Sequence, residues 1–443
     1  MIKCTLKIRA FALLLFACAC LYLPGCSADR RLAHDVARRL KRSEVLSRHY
    51  LGLVIYDLSK RKPVFQLHAD KYFTPASNTK LLTFYGALKM IGEHVPALRY
   101  VERGDSLIFW GTGDPSFLQS RLKGTAAYDL LRNTNKQLFF SDGRYSGGRY
   151  GRGWAWDDYN DDYQAELSEL PVMDNLVKVT ERDGEISVIP QMMQDSFRVD
   201  AMILDTVFKV VRDFDRNYFR YPAFSPRSGY VQLVPYKIST DIALRILSDT
   251  LQKDIDLVSI KLPAAARTLS GSPRDSVLKE MLLPSDNFIA EQLLLVCSDR
   301  LGDTLSTKRA IAHIQQNYLS ALPDKPVWVD GSGLSRYNLV TPRDLVRLLE
   351  LIYETVNDEK TLFTLLPAGG MSGTLKNAYP KTDRPFVFGK TGSLSNIYNQ
   401  SGYLVTKKGR TYIFSFMNNN FAGSTLEVRK AMGELITGLH DRF

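Results

Sequence analysis

The sequence is poor in cysteine, and its cysteines are badly placed for cross-linking. Of five in 443 residues, Cys4, Cys18, Cys20 and Cys26 cluster at the N-terminus. Only Cys297 lies deeper, beside the apolar run Leu293–Val296, where it reads as a buried thiol. A disulfide framework is thereby excluded, and stability must come from a hydrophobic core. Long apolar runs are missing as well. The stretch Ala10–Leu23 falls short of the roughly 20 apolar residues that a membrane span needs. Histidine is scarce: His34, His49, His68, His94, His313 and His440 are scattered, and none forms H-E-x-x-H. That argues against a zinc peptidase, and no metal or cofactor is expected. A Ser-His-Asp triad stays open on spacing alone, with nothing pointing to one. There is no internal repeat, no low-complexity tract and no recognisable nucleic-acid module, so no nucleic-acid partner is expected.

What is present suits a globular protein of two or three domains: 443 residues, 45% hydrophobic and 24% charged. The net charge is +11, three of it from Lys3, Lys7 and Arg9. Those three form a positive n-region, and Ala10–Leu23 an apolar h-region, so residues 1–25 read as a signal peptide. The run ends in Leu23-Pro24-Gly25-Cys26, which resembles the lipobox of bacterial lipoproteins. That resemblance implies lipidation of Cys26 and anchoring to a membrane, although Pro24 is unusual at its position. The rival is ordinary cleavage after Cys26-Ser27-Ala28. Either way the chain is expected to be exported, to the periplasmic side of a bacterial envelope. The basic excess fits anionic polymers or lipid headgroups and fits a generally solvated surface equally well.

Hydrophobic periodicity outlines the organisation. A helix is expected over Ala33–Leu46, strands at Tyr50–Tyr56 and Val64–Leu67, and a helix carrying Leu81, Leu82, Tyr85, Leu88 and Ile91. Thr74-Pro75 is a helix start. Residues 96–264 read as one or two inserted, mostly β domains, with a helical piece at Thr240–Leu251. Beyond 265 helices are expected at Asp275–Leu283, Phe288–Ser298 and Pro342–Val356. Strands follow at Phe386–Lys390, Tyr403–Thr406 and Tyr412–Met417, then a helix over Thr425–Leu439. The fold class is α+β. Residues 26–95 and 265–443 form a discontinuous catalytic domain, an antiparallel sheet with helices on both faces.

The chemistry rests on three short motifs. S-x-x-K occurs four times, starting at Ser59, Ser77, Ser120 and Ser276. Alone it decides nothing. A serine and a lysine three apart share a face only on a helix. Ser59 lies in a turn between strands and Ser120 in a loop-rich stretch. Ser276 is too close to the next motif to build a separate wall. Ser77 opens a long apolar helix, where the helix N-terminal field favours an oxyanion. The chain has a single S-x-N, Ser285-Asp286-Asn287, and a single K-T-G, Lys390-Thr391-Gly392, at the end of an apolar strand. This trio, in this order, is the signature of penicillin-binding proteins and serine β-lactamases.

The chain is similar to the D-alanyl-D-alanine carboxypeptidase/endopeptidase family of low-molecular-mass class C penicillin-binding proteins. Besides the trio it shares Gly113-Asp114-Pro115, Trp154-Ala155-Trp156-Asp157-Asp158, Asp330-Gly331-Ser332-Gly333-Leu334-Ser335 and Gly373-Thr374-Leu375. Leu283 departs from it, standing where the family often has a basic residue. The long interval from Ser77 to Ser285 leaves room for the family's inserted domains, which a compact class A β-lactamase lacks. The resemblance implies a β-lactamase/transpeptidase-like fold and a serine-type carboxypeptidase acting on peptidoglycan stem peptides and acylated by β-lactams.

Roles then follow. Ser77 is the nucleophile and Lys80 its base. A free lysine, with a pKa of about 10.4, is neutral in roughly one molecule in 2,500 at pH 7, so burial and a second cation, Lys390, are expected to lower it. By resemblance, Ser285 relays a proton to the departing amine. Asn287 orients Lys80 and bonds the substrate's amide. Lys390 and Thr391 hold the terminal carboxylate, and Gly392 admits the substrate backbone. The backbone N–H groups of Ser77 and Ser393 form the oxyanion hole. Asp158 matches a substrate-facing acid of the insert, and reads equally well as a turn aspartate. Asp330–Ser335 is either a cleft rim or a tight loop, and Trp154 and Trp156 read as packing. Two other functions remain open: a catalytically silent peptidoglycan-binding lipoprotein and a β-lactamase. Against the second, no E-x-x-x-N follows Asn287.

Overall fold

A computed structural model describes residues 24–122 and 124–443. Most of the expected signal peptide, and the side chain of Cys26, lie outside the described residues.

The first and last parts of the chain build one antiparallel sheet. Its strands run in the order Val387–Leu394, Ile397–Val405, Thr411–Asn419, Tyr50–Asp57 and Lys62–Leu67. The three central strands are buried along almost their whole length. A strand covered on both faces needs apolar or internally bonded residues at every position, which explains why these runs do not alternate. One face carries helices Lys80–Met90, Asn287–Asp299 and Pro342–Val356, packed through Leu81, Phe84, Leu293 and Leu349. The other carries Pro24–Arg42 and Thr425–Arg442, through Leu32, Val36, Leu435 and Ile436. Asn287–Asp299 is buried on all sides from Phe288 onward. A helix buried on every side belongs in a core, with Glu291, Gln292, Ser298 and Asp299 hydrogen-bonded there, and it packs against the serine helix, with Asn287 at its start. Cys297 sits on it, fully buried, its thiol pushed up to about 12 by burial.

Between the two halves the chain builds a second five-stranded sheet, in the order Ile255–Val258, Gln137–Ser141, Ser106–Gly111, His94–Arg103 and Arg267–Pro273. Its last two strands pair antiparallel, so the chain leaves and returns side by side. Two three-stranded sheets lie within the excursion. Strands dominate as expected, and the helix Thr240–Leu251 has the expected limits. A second helix, Ala126–Asn133, had no sequence signal, because only Ala127 and Leu131 of its eight residues are buried. Among the described residues no helix is long and apolar enough to cross a membrane.

Candidate active site

Ser77 lies in a 3-10 turn, Ala76–Thr79, that runs directly into the helix beginning at Lys80. The turn is tight. Ala76 has φ +50°, a left-handed conformation that a residue with a Cβ adopts only when its surroundings over-determine it. Here they do. Thr79 Oγ1 donates to the Ala76 carbonyl at 2.8 Å, Asn78 Nδ2 to Ser401 Oγ at 3.1 Å, and Asn399 Nδ2 to the Thr74 carbonyl at 2.9 Å. The last two partners belong to the strand next to the K-T-G strand, so the serine turn is tied to the sheet.

Lys80 is fully buried and makes three hydrogen bonds. Its Nζ donates to Ser77 Oγ at 3.0 Å, to Asn287 Oδ1 at 2.6 Å and to the Ser332 carbonyl at 2.8 Å. Burial pushes its pKa down to about 8, against the opposing pull of Asp286, Asp330 and Glu291. The cause differs in part from the expected one. Lys390 is also fully buried, and burial, followed by repulsion from Lys80, carries it well below the ordinary lysine range. Lys390 is not among the causes that lower Lys80, so it does not act as the expected second cation. Desolvation is therefore what prepares Lys80 as a base.

Asn287 begins its helix, capped by Asp286, whose Oδ1 accepts from the Ile289 amide at 2.9 Å. Asp286 also pairs with Arg121 from the inserted segment. While Asn287 Oδ1 faces Lys80, its Nδ2 donates to the Tyr163 carbonyl at 3.1 Å. The nitrogen expected to meet substrate is thus engaged by the inserted segment in this structure. Asp158 lies in the 3-10 turn Trp156–Asn160 and acts with Asp161, after burial, to push up the phenol of that same Tyr163. Asp158 is thus linked to Asn287 only through Tyr163, whose ring it meets and whose carbonyl Asn287 holds. Ser285 is half-buried, with φ +66°, the second left-handed residue of the site.

The K-T-G strand closes the other wall. Lys390 Nζ donates to the Thr391 carbonyl at 2.8 Å, and Thr391 Oγ1 to Thr374 Oγ1 at 2.8 Å. Gly392 has a role beyond the expected one. A Cβ there would stand 2.4 Å from the Pro75 carbonyl oxygen and 3.0 Å from the amide nitrogens of Ser77 and Asn78. It is the serine turn, then, that needs the missing side chain. Ser393, the next residue, is exposed.

The Asp330–Ser335 loop is more than a rim, since its Ser332 carbonyl holds Lys80. Asp330 is buried and accepts from the amides of Gly333 (2.9 Å) and Ser335 (2.7 Å), from Asn338 Nδ2 (2.7 Å) and from Trp154 Nε1 (2.9 Å). Trp154 thus has a bonded as well as a packing role. Gly333, at φ +87°, passes so close to the serine turn that a Cβ would collide with the Ala76 carbonyl oxygen at 1.9 Å. Sequence reasoning missed Glu291, another buried acid here. Its only signal was its place four residues after Asn287, on the same helical face. Among the described residues, no three His, Cys, Asp or Glu side chains are placed to hold a metal ion.

A serine–lysine pair on a helix start, facing a K-T-G strand in a sheet covered on both faces, defines the class. The chain belongs to the D-Ala-D-Ala carboxypeptidase 3 (S13) family, whose sequence profile matches residues 32–213 and 237–439. It is accordingly an enzyme of the D-alanyl-D-alanine carboxypeptidase class, a hydrolase. The D-alanyl-D-alanine carboxypeptidase DacB of Haemophilus influenzae is 23% identical over 445 residues, covering 87% of this chain and 88% of that protein. The D-alanyl-D-alanine carboxypeptidase of an Actinomadura species is 24% identical, covering 84% and 78%. The crystal structure of penicillin binding protein 4 (dacB) from Haemophilus influenzae has the same fold, with a TM-score of 0.70 at 19% identity over 92% of this chain and 99% of that one.

Proposed function

We propose that the chain cleaves D-alanyl peptide bonds of peptidoglycan stem peptides through an acyl-enzyme on Ser77, and that β-lactams acylate the same oxygen. The observation that carries this reading is the bonding of Lys80. A cationic Lys80 has three hydrogens and three acceptors. When it is neutral, Asn287 and Ser332 keep two hydrogens and the lone pair is left facing Ser77. Ser77 Oγ then gives its proton to Lys80 and bonds to the carbonyl carbon. The C–N bond breaks, and the departing D-alanine amine takes the proton, relayed through Ser285. Water then attacks the ester, releasing the shortened peptide and restoring the Ser77 hydroxyl. The approach of Gly392 to the Ser77 amide supports an oxyanion hole formed by that N–H and the N–H of Ser393. Lys390 and Thr391 suit a terminal carboxylate, whose charge would favour the protonated form of Lys390. Asp158 suits a cationic group on the peptide.

The same reading includes endopeptidase cleavage of cross-links, export by the signal peptide 1–25 and lipid attachment at Cys26. It divides the chain into a catalytic domain, 26–95 with 265–443, and an insert, 96–264. The side-by-side pairing of His94–Arg103 with Arg267–Pro273 supports a single continuous excursion, with its first and last strands reaching a few residues outside those bounds, to 94 and 273.

The test is labelling with a reporter penicillin. The wild type is expected to be marked covalently and Ser77→Ala not at all. Persistent marking of Ser77→Ala overturns the choice of nucleophile. No marking of the wild type favours a silent binding protein.

A further inference from the structure

Glu291 is a fully buried carboxylate that the mechanism above leaves without a task. It sits one helical turn beyond Asn287, and its surroundings are specific. Oε2 accepts from the Gly331 amide at 2.9 Å and Oε1 from the Ser332 amide at 2.7 Å. Two consecutive backbone N–H groups are thus gripped by one side chain. A second anchor holds the same loop, for Thr83 Oγ1, on the serine helix, donates to the Gly331 carbonyl at 2.7 Å. A Cβ on Gly331 would lie 2.6 Å from the Ala290 carbonyl oxygen, so the loop is pressed onto the Glu291 helix. Between these anchors emerges the Ser332 carbonyl, which receives Lys80 Nζ.

We propose that Glu291 is a positioning residue for acylation. By holding the Gly331 and Ser332 amides, it fixes the Ser332 carbonyl that turns the Lys80 lone pair toward Ser77.

This rests on the reading of Ser77 as nucleophile and Lys80 as base. The geometry explains why a carboxylate stands at a place where burial costs it heavily. Burial and the charge of Asp330 raise the Glu291 pKa, and hydrogen bonds from the Ser332 hydroxyl and from the Gly331 and Ser332 amides oppose that rise. Both oxygens accept, a pattern that the ionised form meets fully. The groups facing Lys80 are Asp286, Asp330 and Glu291, with Lys390 across on the strand. Tyr145 also feels Glu291. Where Glu291 is ionised, its charge favours the protonated form of Lys80. Glu291 therefore has two effects of opposite sense: it orients the base, and it holds back the loss of the base's proton.

Glu291→Gln separates these effects from plain structural support. The variant keeps the volume but loses the charge, and sets an NH2 against a backbone N–H. The assay is the second-order rate of penicillin acylation across pH in the full-length protein. The plateau is expected to fall about tenfold or more, the scale of a misplaced base, while the acid limb moves to lower pH. A plateau within threefold of wild type overturns the proposal, and so does a limb that does not move. Should the variant not fold, Thr83→Val carries the test. It strips the second anchor from the same loop without changing charge. Acylation is then expected to slow about tenfold with the limb in place, and an unchanged rate overturns the proposal. Failure of the underlying reading would show differently, as a wild type that is not acylated at all.

Discussion

Replacing Gly392 by alanine tests how closely the two walls of the site must approach. The added Cβ would lie 2.4 Å from the Pro75 carbonyl oxygen, whereas ordinary van der Waals contact begins near 3.4 Å. The obstacle is backbone, so no side chain can swing aside. Gly392 pairs with Asn399 in a ladder that continues through Ser401 and Gly402, and this pins the strand. The turn is pinned to that sheet by Asn78 and Asn399. Relief therefore requires the turn and strand to part by about 1 Å, which takes Ser77 from the Ser393 N–H and from Lys390 and Thr391 on the strand. A misplacement of that size costs on the order of a hundredfold in rate. Acylation by a reporter penicillin is expected to slow by about that factor, with circular dichroism and the unfolding midpoint showing a folded protein. Acylation within threefold of wild type in a folded Gly392→Ala protein would refute the reasoning, because the site would then tolerate the separation.

The pH dependence of acylation follows from Lys80. Burial favours its neutral form and brings its pKa from the usual 10.5 to about 8. Neutral base therefore accumulates as pH rises through about 8, and the acylation rate should climb there and level off above. A limb centred near 10 would contradict the cause assigned. Asp330→Ala leaves four donors without their acceptor in a buried loop. Each buried unsatisfied donor costs about 1–3 kcal/mol, partly recovered by relaxation, so a loss of roughly 3–5 kcal/mol is expected in urea unfolding. A loss below about 1 kcal/mol would mean that the loop is held by other contacts.

Much of the scaffold was legible because local rules and global packing agree there. Pro342–Val356 has the expected limits: Thr341 caps it, proline stands at its start, and Leu345, Leu348, Leu349 and Ile352 form one buried face. The strands at Tyr50, Tyr403 and Tyr412 announced themselves as unbroken apolar runs, though Ile397–Val405 begins well before its expected start because Asn399, Gln400 and Ser401 hid it. Those polar residues are buried by bonding to the serine turn and to Tyr379, which no local pattern reveals. Helix Thr307–Tyr318 was missed for a related reason, since only three of its residues are buried.

By itself, the sequence determined which serine and lysine to choose. Four S-x-x-K matches compete, and helix context with single copies of S-x-N and K-T-G selects Ser77 and Lys80. Their distance of 3.0 Å, and the identity of the groups around them, were decided only by tertiary structure. Lys80 meets Asn287 and Ser332 across separations of 207 and 252 residues, and one of those contacts is a backbone carbonyl, which has no letter in a sequence. The charge state of the site belongs to that level too. Desolvation depends on everything packed around a side chain, so only the folded molecule shows burial lowering the pKa of Lys390 and Glu291 gripping the loop that aims Lys80.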